Sequence, residues 1–322
     1  MWSVSRLPRQ RSVRDTRSPI TCALAAALLL WLALSALATA QSLLDRALQV
    51  QATVGFLDRF RHGAWTPVAV ELSHPSGYQG VLEVAVPRSD LFSQAQSYVR
   101  LTQPFELAPG ESRTYWFTVP LHASPYPLVV AIKDRNGRTT RQIEKELRGR
   151  AVEGPFFLVL DPAATGWTFL AGEAAPPSSR PAPPVVVHAR SAGELPGDAL
   201  AYAALSAVIV RDTFALTSLD PDQVAAIAEY VRSGGHLILA GGSSPPRFPL
   251  SWMAWLPEIT GRVVGVEIGE LLLPAWEFDP VITAARGSRG ELTTSRPAGA
   301  GVASIIAYDP SSPALRGTEG DA

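Results

Sequence analysis

The stretch "AEYVRSGGHLILAGGSSPP", Ala228 to Pro246, decides the fold. Its first residues continue a run in which Val224, Ile227, Ala228 and Val231 recur at helical spacing. Asp220 suits the cap of that helix, Pro221 suits its first turn, and Gly234-Gly235 ends it. Leu237 to Ala240 then reads as a short strand that stops at a second glycine pair, Gly241-Gly242. Upstream, "PFFLVLDP", "PVVVHA" and "ALSAVIVRD" are near-continuous apolar runs, and "GAGVASIIAYDP" supplies a late strand from Val302 to Ala307. Such runs fit strands buried on both faces of a parallel sheet. The strand-helix-strand rhythm predicts a doubly wound α/β domain over residues 155–310, with right-handed crossovers.

Residues 45–150 follow a different period. "PVAVELS" sets Val68, Val70 and Leu72 against Ala69 and Glu71, and "VLEVAV" repeats the pattern with Leu82, Val84 and Val86. "RTYWFTV" alternates Tyr115, Phe117 and Val119 with Thr114, Trp116 and Thr118, and "PLVVAIKD" adds Leu128, Val130 and Ile132. Alternation by two predicts half-buried antiparallel strands. Pro109-Gly110 and Asn136-Gly137 are turn signals between them. About seven short strands in roughly a hundred residues predict an all-β immunoglobulin-like sandwich, without its Cys…Trp…Cys core. "RFRHGAW", with Arg61, His62 and Trp65, reads as a loop before a strand.

Inside the second domain, residues 243–300 form an insertion with Pro245, Pro246, Pro249, Pro257, Pro274 and Pro280. It carries Trp252, Trp255 and Trp276, which read as an arm packed on the flank or as a binding surface. Residues 311–322 are a tail.

Ahead of both domains, residues 1–40 combine Arg6, Arg9, Arg11, Arg14 and Arg17 with an apolar run from Ile20 to Leu37 and the sequence Ala38-Thr39-Ala40. This is the pattern of a signal peptide, with an uncleaved transmembrane anchor as the alternative. Either one places the working part of the chain outside the cytoplasm, secreted or held at the cytoplasmic membrane. The only cysteine, Cys22, lies in that segment, so neither a disulfide framework nor a cysteine nucleophile is available beyond it. The formal net charge of −1 gives no reason to expect nucleic acid as a partner. The five histidines show no metal-binding spacing.

"ALSAVIVRD", the helix and "GGHLILAGG" resemble the flavodoxin-like fold of class I glutamine amidotransferases. More narrowly, they resemble uncharacterised bacterial envelope proteins that join a β-sandwich to such a domain, over about residues 45–310. In active amidotransferases the elbow after the strand presents a cysteine, and the resemblance puts Gly241 there, which implies a pseudo-enzyme. The loop Gly241, Gly242, Ser243 and Ser244 remains the candidate ligand loop. Ser243 or Ser244 with His188 or His236 is a weaker nucleophile–base pairing, since His236 starts the same strand, roughly 13 Å away. "GGSSPP" lacks the lysine and the backbone donors of a phosphate cradle.

Two functions follow as expectations. One is a non-catalytic envelope scaffold without cofactor or metal, whose partners are other envelope or membrane proteins and which reaches the membrane through the N-terminal segment. The alternative is an extracytoplasmic hydrolase or carbohydrate-processing or -binding protein. It would use the strand-end carboxylates Asp161, Asp212 and Asp309, or the tryptophans of the insertion.

Overall fold

The structure, a computed structural model, describes residues 47–88, 97–163, 167, 170, 182–211, 214–242, 252, 256, 259–268, 271–278, 293–310 and 312. In chain order the strands begin with β1 (Gln49–Val54), β2 (Phe60–Arg61), β3 (Ala64–Ser73), β4 (Tyr78–Arg88), β5 (Ser97–Leu107) and β6 (Ser112–Leu121). They continue with β7 (Leu128–Lys133), β8 (Thr139–Lys145), β9 (Ala151–Val152), β10 (Phe156–Leu160), β11 (Val185–Ala189) and β12 (Ala207–Arg211). After helix α1 (Pro221–Arg232) come β13 (His236–Ala240), β14 (Ile259–Ile268), β15 (Leu271–Phe278), β16 (Thr293–Ala298) and β17 (Gly301–Ile306).

The first strands form a three-stranded antiparallel sheet, β1-β3-β6, and a four-stranded one, β5-β4-β7-β8. Period two is obeyed closely: Val68, Val70 and Leu72 of β3 and Tyr115, Phe117 and Val119 of β6 are buried. The Asn136-Gly137 turn joins β7 to β8, and Gly137 has φ +78°, a conformation that glycine adopts without steric cost. β2 and β9 make a short parallel pair that ties the start of this region to its end.

The central part of β4 is buried on both faces. Glu83 of β4 is buried, with Oε1 accepting from Arg100 of β5 and Oε2 from Lys133 of β7. Burial raises its pKa, but Lys133 and then Arg100 outweigh that and hold it below the usual carboxylate range. A depressed folded-state pKa adds stability above the unfolded value of about 4.3, lost as pH falls through the folded value. Acid titration of unfolding should therefore show wild type losing stability below about pH 4 more steeply than Glu83→Gln. Parallel acid limbs for the two proteins would contradict the assignment.

The second half is built on a six-stranded sheet of order β11-β10-β12-β13-β17-β16. Its first five strands are mutually parallel and β16 runs antiparallel at the edge. Helix α1 forms as its sequence signals require. The Asp220 carboxylate accepts from the backbone N–H of Gln223, the Gln223 side chain accepts from Asp220 N–H, and Pro221 occupies the first turn. One face of the sheet, with Leu158, Val208, Leu237 and Leu239, packs into a large core with Ile227 and Val231 of α1. On the other face Val159, Ile209 and Ala240 gather around Trp167.

The expected architecture needs correction. An immunoglobulin-like sandwich followed by a flavodoxin-like or class I amidotransferase-like doubly wound domain does not describe this chain. The described residues are dominated by strands in five sheets and contain a single α-helix, so β structure runs through both halves. The parallel strands are where the apolar runs placed them, but among the described residues only the β12–β13 connection carries an α-helix, α1. Between β11 and β12 the chain makes only the short 3-10 turns Ala192–Glu194 and Ala199–Tyr202, separated by Pro196-Gly197. Most of the connection from β10 to β11 lies outside the described residues. Within the insertion expected at residues 243–300, the described residues include the antiparallel pair β14-β15.

The signal or transmembrane helix expected at residues 1–40 lies outside the described residues. Among the described residues no helix is long and apolar enough to cross a membrane, so a transmembrane helix is not part of the described architecture.

Candidate functional site

The carboxyl ends of the parallel strands come first. The chain passes from β10 to β11 on one side and then to β12 on the other, so strand order reverses between β10 and β12, where ligands of open parallel sheets commonly bind. Asp161 follows β10, Arg211 ends β12, and Asp309 follows β17. Arg211 Nη1 donates to both oxygens of Asp161 at 3.3 Å, while its Nε and Nη2 donate to Asp309 Oδ2 at 3.2 and 2.8 Å. Asp161 also accepts from the backbone N–H of Ala163 and is fully buried, at 0% side-chain exposure against 17% for Arg211. Burial works against the guanidinium charge, but Asp309 and then Asp161 outweigh it and hold the Arg211 pKa above its ordinary range.

This arrangement differs from a catalytic carboxylate pair. Two acids in general acid–base chemistry need environments that push their pKa values apart and leave one free to exchange a proton. Here one arginine bridges both groups. Asp212, the third strand-end carboxylate, falls outside the described residues.

Of the candidate ligand loop, Gly241 and Gly242 are described, and Ser243 and Ser244 lie outside the described residues. Gly241 donates its N–H to Ile306 O at 2.7 Å, and a Cβ built on it would collide with the carbonyl group of Ala307. The elbow glycine is thus required by the close approach of β13 to β17. No nucleophilic side chain fits at that position.

The two histidines weighed as bases have separate fates. His236 Nε2 pairs with Ser304 Oγ at 2.8 Å on the neighbouring strand, at the amino end of β13 and away from the loop. His188 sits on edge strand β11, and its Nδ1 is buried without a hydrogen-bond partner among the described residues. Burial lowers the His188 pKa, Asp161 opposes that and Arg190 adds to it.

His188 opens onto a cleft that sequence reasoning missed. A cavity of about 170 Å³ lies between the outward face of β1-β3-β6 and the segment that follows β11. The sheet wall carries two cross-strand rows, Gln51–Glu71–Thr114 and Thr53–Ala69–Trp116. The opposite wall is formed by Leu158, His188, Ala189, Gly193 and Glu194, and Gly55, Phe56 and Leu57 close one side. A signal was present, because the alternation that buries Phe117 turns Trp116 outward in phase with Thr114.

The remaining candidates have structural roles. Arg61 donates to Gly154 O at 2.9 Å and to Ser206 Oγ at 3.3 Å, tying β2 to the segments flanking β10 and β12. His62 Nδ1 accepts from Ala123 N–H at 2.9 Å. In the insertion, Trp252 and Trp276 are buried in the main core, and Trp255 lies outside the described residues. Among the described residues no group of three or more His, Cys, Asp and Glu is placed to hold a metal ion.

Comparison with known proteins adds little. Residues 47–148 match a family described as a domain of unknown function, DUF8726. No curated protein matches the chain. Among solved structures, a cycloisomaltooligosaccharide glucanotransferase from Paenibacillus sp., complexed with cycloisomaltoheptaose, is similar with a TM-score of 0.23 and 10% identity, over 72% of this chain and 34% of that one. The chain thus spans about a third of that protein's length, and a TM-score so low supports no statement about fold or activity.

Proposed function

We propose that this chain is an exported, non-catalytic protein that works by binding partners at the cell envelope. The observation that carries the proposal is the Asp161–Arg211–Asp309 bridge. Asp161 and Asp309, the described carboxylates at the strand ends where an enzyme on such a sheet would keep its reactive groups, are committed to an arginine. The crowding at Gly241 argues the same way, since it leaves no space for a nucleophile at the elbow. Export rests on the arginine-rich, apolar leader of residues 1–40, and the partners are other envelope or membrane proteins.

A panel of ester, peptide and glycoside substrates tests the proposal. No turnover above a heat-denatured control is expected. Turnover that disappears when a single strand-end residue is replaced would contradict it.

A further inference from the structure

The cleft between β1-β3-β6 and the segment after β11 has a lining of distinctive chemistry. Two carboxylates face it, Glu71 and Glu194, and among the described residues neither lysine nor arginine lines it. Glu71 Oε1 accepts from Ser112 Oγ at 2.9 Å, while Glu194 accepts from Ser191 Oγ and from the backbone N–H of Arg190. A carboxylate has about four lone-pair sites, so each keeps acceptor capacity for a ligand. Arg190 lies close in sequence but is exposed and outside the lining. Trp116 supplies an aromatic surface of the kind that attracts cations.

The rim is shaped for an apolar stem. Leu57 is 57% exposed and has φ +52°, a conformation uncommon for a side chain of this type. Its neighbour Asp58, at φ +59°, holds the turn in place: Oδ1 accepts from Val54 N–H, and Oδ2 pairs with Arg150 at 2.9 Å and Lys145 at 3.5 Å. Backbone strain at an exposed leucine, held by ion pairs behind it, is a feature that collects at ligand sites. Leu57 presents an exposed aliphatic side chain beside the carboxylates, while Phe56 anchors the turn in the main core.

We infer that this cleft binds an organic cation, an ammonium or guanidinium group on a short aliphatic stem. The head group donates to Glu71 and Glu194 while lying against Trp116, and the stem lies along Leu57. The volume of about 170 Å³ is below the roughly 300–1,000 Å³ of sites for drug-sized ligands, and suits a group the size of an amino-acid side chain. The same chemistry occurs in free amines and in the lysine or arginine side chains of a polypeptide. The inference deepens the proposed binding role by naming a ligand class for one site.

The test is titration of the full chain, followed by calorimetry and ligand-observed NMR, with n-butylammonium, agmatine, n-butanol, glucose and the blocked peptides Gly-Lys-Gly and Gly-Arg-Gly. The cations should bind with Kd near or below about 1 mM and at least about tenfold more tightly than n-butanol or glucose. Glu71→Gln, an exposed change that should leave the melting temperature unaltered, should weaken binding about fivefold. Tighter binding of the peptides than of the free cations identifies a polypeptide as the source, and the reverse order identifies a small amine. Equal binding of n-butanol or glucose, unchanged affinity in Glu71→Gln, or no binding of any probe overturns the inference. Absence of binding leaves the non-catalytic proposal standing, whereas chemical conversion of a probe contradicts that proposal itself.

Discussion

Replacing Arg211 with methionine is expected to destabilise the chain by about 3–5 kcal/mol, among the largest losses available to a single substitution here. The cause is Asp161. It has 0% side-chain exposure, and the bidentate contact from Arg211 is its only ion pair among the described residues. Methionine fills much of the same space but leaves a buried carboxylate facing no cation, and its uncompensated desolvation dominates. Asp309 retains 15% exposure, so it recovers some hydration when Arg211 is lost, and its own replacement should cost less. For a chain of this size the Arg211 change should lower the melting temperature by on the order of 10 °C. The companion variant Arg211→Met with Asp161→Leu should recover much of the loss, because replacing both members of a buried pair by apolar groups is often neutral or better. Recovery would identify a structural bridge. A catalytic arrangement gives the opposite ranking, with little change in stability and loss of an activity.

The second large effect is expected at Gly241. Valine there must displace the Ala307 carbonyl, and the 2.7 Å hydrogen bond from Gly241 N–H to Ile306 O holds the two segments at that separation. β17 cannot retreat freely, because Ala303, Ile305 and Ala307 are buried in the main core. Gly241→Val should therefore cost about 1–3 kcal/mol, as overpacking of a filled interior does. Thermal or urea unfolding measures this directly. Wild-type stability in Gly241→Val would show that the elbow has slack, and with it space for a side chain.

Much of the fold was legible because it is written in local periods. The alternating faces of β3, β4, β6 and β7, the apolar runs of β10 to β13, and the cap and stop of α1 all depend on residues near one another in sequence. The doubly wound expectation failed at a particular step. A continuous apolar run such as "AVIV" specifies a strand covered on both faces, but it does not specify what covers it. In this chain Pro196-Gly197 divides the β11–β12 crossover into short 3-10 turns. The proline in that connection was the available warning.

The candidate site was legible only in part, for a different reason. Asp161 and Asp309 stood out as carboxylates at strand ends, but Arg211 did not. Its partners lie 50 and 98 residues away in sequence, and no local pattern encodes such a pairing. Placement of the carboxylates thus suggested chemistry, and the structure pairs Asp161 and Asp309 with one arginine instead of with each other. The cleft depends likewise on bringing Glu71 and Trp116 of one sheet against His188 and Glu194 near another, a juxtaposition set by tertiary packing.

The central claim is that the strand-end elbow supplies geometry without chemistry. Fluorophosphonate labelling of the folded chain, read by intact mass and peptide mapping, tests it most directly. The account predicts an unmodified mass, with Ser243→Ala and Ser244→Ala indistinguishable from wild type in labelling and in melting temperature. Covalent addition at Ser243 or Ser244, lost on replacement by alanine while the fold survives, would contradict it.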